Sequence, residues 1–150
     1  DDGLGPRLVA ALEDRDGVAC ESDYQLSVED SATVAQYEVA VFVDADAEGP
    51  APFHFCRVAP ARPLSFSSHS ATPGQVLALA QDMFGAQTQA FTLGIRGYAF
   101  DEMCEGLSEA ALSNLGRALA FAKRVLEERQ FDEYAKQYGR GRGRDPQPEA

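Results

Sequence analysis

The sequence predicts a three-layer α/β/α domain built on a mostly parallel, twisted sheet of about five strands. Three observations predict it. Val39-Ala40-Val41-Phe42-Val43 is an unbroken apolar run ending in Asp44, the pattern of a strand covered on both faces. Segments of helical period alternate with strand-like segments in the order helix, strand, helix, strand, strand, helix, strand, helix. The chain has 150 residues and 45% hydrophobic content, enough for one domain with its own core. Residues 1–138 are read as that domain and 139–150 as a disordered Gly/Arg tail.

The chain opens on Asp1-Asp2-Gly3, without an initiator Met, and a first strand is expected to be missing from its front. Leu4, Leu8, Ala11 and Leu12 recur at helical spacing, with Pro6 in a first turn where its lack of an N–H costs nothing. Acids ahead of a helix suit its positive end. Val18 to Leu26 is read as a strand and Ser27 to Gln36 as a short polar helix. The strand ending at Asp44 follows. Gly49, Pro50 and Pro52 then mark a loop. Phe53-His54-Phe55-Cys56-Arg57-Val58 alternates with period two and is read as a half-exposed edge strand, with His54 on its wet side.

The segment from Pro60 to Ser70 is a loop. Thr72 is a helix N-cap, Pro73 the first helical residue, and Gln75 completes a capping box. Val76, Leu77, Ala80, Met83 and Phe84 form the apolar stripe, and Gly85 ends the helix. Phe91 to Gly97 is a further apolar strand. Ser108 caps a long helix on which Leu112, Leu115, Leu119, Ala122 and Leu126 repeat at core-facing intervals. Phe131 to Tyr138 adds a further helical turn or two.

Bulk properties exclude several classes. A formal charge of −11 and a pI of about 4.5 argue against a nucleic-acid or anionic-membrane partner. No apolar run reaches the ~20 residues that span a bilayer, and no signal peptide is visible. Cys20, Cys56 and Cys104 form no CxxC pair, so reduced thiols in a cytoplasm are expected; the chain is expected to be a monomer. Sequence motifs for a GxSxG elbow, HExxH zinc site or P-loop are absent. Gly3 and Gly5 open a helix but lack the third glycine of a dinucleotide fingerprint.

What remains is a sparse polar set: Asp2 before the first helix, Asp44 at a strand end, and His69 just ahead of the capped helix. In an α/β sheet these positions share the carboxyl edge, where ligands bind. Two carboxylates and an imidazole suit a divalent metal such as nickel, zinc or manganese and leave coordination positions open.

Several short motifs point further. Asp1-Asp2-Gly3-Leu4-Gly5 resembles the acidic-glycine motif of the nickel–iron hydrogenase maturation endopeptidases. Val43-Asp44-Ala45 resembles that family's strand-end Asp-Ala. Ser68-His69, followed by Pro73 and Leu77-Ala78-Leu79-Ala80, resembles its His-bearing loop and helix. Ile95-Arg96-Gly97-Tyr98 and Glu105-Gly106-Leu107-Ser108 resemble its closing strand and last helix start.

The resemblance covers roughly residues 1–128. It implies an aspartic-type endopeptidase that removes the C-terminal extension of a nickel–iron hydrogenase large-subunit precursor after nickel insertion. It further implies that Asp2, Asp44 and His69 are both the catalytic and the metal-sensing residues, with nickel carried by the precursor. This chain departs from the family in two places: the first acid is often Glu there, and the family's first strand with its Gly-x-Gly-Asn turn is not in this chain. The other reading is a non-catalytic α/β module that binds the precursor or nickel.

Overall fold

The computed structural model describes residues 1–22, 25–62, 70–101 and 106–139. The expected tail beyond residue 139 lies outside them. The elements in chain order are α1 (Leu4–Leu12), α2 (Asp30–Val34), β1 (Val39–Asp46), β2 (Phe53–Arg57), α3 (Pro73–Phe84), β3 (Gln89–Arg96), α4 (Glu109–Glu128) and α5 (Phe131–Tyr138). The chain is mixed α/β, with a three-stranded sheet of order β1-β3-β2.

Register follows from the flanking hydrogen bonds. Gln89 N donates to Glu38 O and Gly97 N to Asp46 O, a constant offset, so β1 and β3 run parallel. Arg96 N donates to Pro52 O and Val58 N to Ala90 O, a constant sum, so β3 and β2 run antiparallel.

Two expectations about the sheet are corrected. The sheet has three strands rather than about five among the described residues. Residues 18–22 and 25–26 are not strand; the apolar alternation of Val18 and Cys20 is broken at once by Glu21 and Ser22. The apolar run of β1 is not the sheet's buried centre either. Seven of its eight residues are only half-buried and Asp44 is exposed, and among the described residues β1 has a strand neighbour on one side alone. The centre is β3, where Phe91, Leu93 and Ile95 are fully buried.

The chain divides into two compact units. The first comprises Asp1–Ser22, Val43–Cys56 and the described residues from Leu93 onward. Here α1 packs on α4, and Leu4, Leu8 and Leu12 form the buried stripe of α1. The helix begins at Leu4 and leaves Ala11 exposed.

On α4 the buried face is Ala111, Asn114, Ala118, Phe121, Ala122 and Val125. Relative to the expected leucine stripe the helix is turned by about one residue, and Leu112 is exposed. Small side chains at 111 and 118 allow close approach, while Phe121 enters an aromatic cluster. Its ring lies 4.6 Å from Phe53, 5.2 Å from Phe55 and 4.9 Å from Tyr138, all within range for favourable aromatic pairing.

The second unit holds the remaining segments up to Thr92. Its core is Val34, Val76 and Ala80, with Leu26, Ala35, Ala40, Phe42, Ala71 and Ala86 against them. The capping box of α3 is formed as read. Thr72 Oγ1 accepts from Gln75 N at 3.2 Å, and Gln75 Oε1 accepts from Thr72 N at 3.0 Å. Gly85 closes the helix at φ 63°, a left-handed conformation that glycine adopts without strain.

Phe121→Ala removes the shared member of the aromatic cluster. It is expected to cost about 3–5 kcal/mol, measured as a loss of unfolding free energy in urea.

Candidate functional site

The site lies in the first unit, where β1 ends at Asp44-Ala45-Asp46 and α1 begins. Gly5 brings the two together. A Cβ at Gly5 would sit 2.9 Å from Val43 O and 3.5 Å from Asp44 Cα. The first turn of α1 therefore rests directly on the backbone of the strand end, and only the absence of a side chain permits it.

This contact brings Asp2 and Asp44 within electrostatic range of each other. Both side chains are exposed. Asp44 Oδ1 accepts from the N–H of Ala45 at 2.8 Å. Partial burial raises the Asp44 carboxyl above its ordinary value of 3.8. The Ala45 hydrogen bond opposes this rise, the charges of Asp2 and Asp46 add to it, and the net direction is upward. Crowded like charges of this kind favour a proton or a cation between them.

Of the three residues the sequence singled out, the structure brings Asp2 and Asp44 together. His69 lies outside the described residues. Among the described residues no group of three or more His, Cys, Asp or Glu side chains could hold a metal ion. The donor chemistry of the pair fits a divalent cation in part: two carboxylate oxygens, with further ligands required from His69 or from an incoming substrate.

Two features escaped the sequence reading. The first is Asp1, which is 5% exposed. Its Oδ2 accepts from Tyr98 N at 2.7 Å, Ala99 N at 2.8 Å and Ser108 Oγ at 2.8 Å, and its Oδ1 from Ser108 N at 2.8 Å. One carboxylate thus ties the start of α1 to the exit of β3 and to the N-cap of α4. The signal was the doubled acid: one of two adjacent Asp residues must turn inward if the other faces the site.

The second is His54, read as a wet surface residue. It is 7% exposed, and its Nε2 lies 2.9 Å from Asp46 Oδ2. The imidazole occupies the space that Gly94 leaves empty, since a Cβ there would come within 2.1 Å of Nε2. A lone glycine inside the apolar strand Phe91–Ile95 was the available clue.

Other polar groups at this edge are engaged. Arg96 Nη1 donates to Gly49 O at 2.7 Å and Nε to Gly97 O at 3.2 Å. Its guanidinium lies 4.9 Å over the ring of Tyr98. Asn114, buried on α4, donates to Arg96 O at 2.9 Å, which fixes the exit of β3 against that helix.

Among solved structures the fold matches hydrogenase maturation endopeptidases. The maturating endopeptidase HybD from E. coli aligns at TM-score 0.66 and 18% identity, covering 86% of this chain and 85% of that one. An endopeptidase from Escherichia coli aligns at 0.62 and 16%, covering 87% and 86%. The [NiFe] hydrogenase maturation protease HycI from Thermococcus kodakarensis KOD1 aligns at 0.61 and 18%, covering 84% and 83%. No family model and no curated protein sequence matches the chain. This chain shares their architecture over most of its length.

Two outcomes are expected. Asp1→Ala leaves Tyr98 N, Ala99 N and Ser108 N without their acceptor. It should destabilise the chain by roughly 3 kcal/mol, read from denaturant unfolding. Asp44 holds its proton more tightly folded than unfolded, so ionising it costs the folded state stability as pH rises from 3.8 through the raised folded value. Asp44→Asn removes that cost and keeps an acceptor for Ala45 N. Its melting temperature should exceed that of the wild type at neutral pH, and the gain should vanish once the pH falls below the ordinary carboxylate range.

Proposed function

We propose that this chain is a metal-guided endopeptidase that removes the C-terminal extension of a nickel–iron hydrogenase large-subunit precursor after nickel insertion. The observation that carries the reading is the acid pair itself. Asp2 lies close enough for its charge to raise the Asp44 carboxyl, on a fold shared with two hydrogenase maturation endopeptidases and a further endopeptidase.

Nickel arrives as the precursor's cargo. Asp2, Asp44 and His69 offer two carboxylates and an imidazole to complete its coordination. A cation between the acids relieves their repulsion, so a nickel-loaded precursor gains binding energy that an empty one does not. Held there, such a cation would polarise the scissile carbonyl and could activate water. Selectivity for the loaded precursor then follows from electrostatics at one site. The reading carries with it a cytoplasmic monomer acting on that precursor.

The test is mass spectrometry of nickel-loaded large-subunit precursor after incubation with purified protein. The wild type should shorten the precursor at its C-terminus and leave a nickel-free precursor intact. Asp2→Asn, Asp44→Asn and His69→Ala should each lower the rate by about 100-fold or more while remaining folded by circular dichroism. A wild-type protein that binds the precursor without shortening it would establish the non-catalytic module instead. Variants that cut at the wild-type rate would remove these residues from the mechanism.

A further inference from the structure

β2 carries a second polar constellation that the acid pair does not use. His54 and Cys56 stand two residues apart and so share one face of the strand. Cys56 Sγ lies 3.5 Å from His54 Nδ1, and His54 Nε2 lies 2.9 Å from Asp46 Oδ2. The other carboxylate oxygen of Asp46 accepts from Glu48 N and Gly49 N, each at 2.9 Å. Asp46 is thus held in place by the turn it caps.

The hydrogen positions follow from this geometry. A ring nitrogen facing a carboxylate carries the hydrogen, so Nε2–H donates to Asp46. The neutral ring then presents the Nδ1 lone pair to Cys56, and the thiol S–H donates to it. Burial of His54 over Gly94 holds the ring in this orientation. Cys56 itself is half-buried. Nucleophile, base and orienting carboxylate stand in that order, the arrangement in which a base draws a proton from an attacking thiol.

We propose that Cys56 is a base-assisted thiol and a modification site for soft carbon electrophiles. With iodoacetamide, Sγ forms a bond to the methylene carbon. The C–I bond breaks with its electron pair leaving as iodide. The thiol proton passes to His54 Nδ1, giving an imidazolium held by Asp46.

The chain supplies its own reference thiol. Cys20 is also half-buried, but burial, with the charge of Glu13 adding to it, pushes its thiol above the ordinary value. It therefore remains protonated and slow to react.

The test is timed alkylation of the full chain by iodoacetamide at neutral pH, quenched and resolved cysteine by cysteine by peptide mass spectrometry. In the folded wild type Cys56 should react roughly 10-fold or more faster than Cys20. It should also react faster than Cys56 does in the same chain unfolded in guanidinium, which exposure alone cannot produce. His54→Gln should bring the Cys56 rate down to that of Cys20 and leave Cys20 unchanged. Two results would overturn the proposal: a Cys56 rate in the folded wild type no higher than in the unfolded chain, or a folded His54→Gln protein that keeps the wild-type Cys56 rate. Should the variant fail to fold, the folded-to-unfolded ratio for wild-type Cys56 decides alone.

Discussion

The close approach of the first turn of α1 to the carboxyl end of β1 is the constraint on which the site depends. A single missing methyl group at Gly5 sets it. Any side chain there would press on the carbonyl of Val43, a backbone atom fixed by the sheet, and the helix would have to lift away. Asp2 would move with the helix, because only Gly3 and one turn separate them. The separation of two carboxylates is thus controlled by a glycine that carries no chemistry.

Adjacent acids have opposite tasks in this arrangement. Asp1 is buried and its carboxylate is fully employed by four donors, which anchors the segment. Asp2 is exposed and leaves its charge for the site. Partial burial of Asp44, with the charges of Asp2 and Asp46 adding to it, is borne by the folded state as a raised proton affinity. The anchoring of Asp1 keeps that arrangement from being relaxed by movement of the chain.

Much of this was legible in the sequence, and the exceptions have physical causes. The α3 capping box could be read because its signals are local: Thr72, Pro73, Gln75 and Gly85 each act within a few residues. Asp44 at a strand end could be read because an apolar run stopped there. The place of β1 in the sheet could not, since apolar content reports burial preference and not which strands become neighbours. The rotation of α4 was missed because small residues at Ala111 and Ala118 win close contact over larger leucines that would hold the helices apart. His54 was misjudged because alternation marks a face and does not say what covers it; the covering depended on Gly94, forty residues later in the chain.

The strand order has a consequence for how the chain reaches its native state. β1 and β2 follow each other closely in sequence, yet neither pairs with the other; each finds its hydrogen-bonding partner in β3. Both must therefore wait for a segment tens of residues downstream before their ladders can close. Loop closure over that distance is a cost met before any sheet energy is returned, so topology of this kind slows folding. On a ribosome, the rim bearing the paired acids would assemble only once the last strand had emerged.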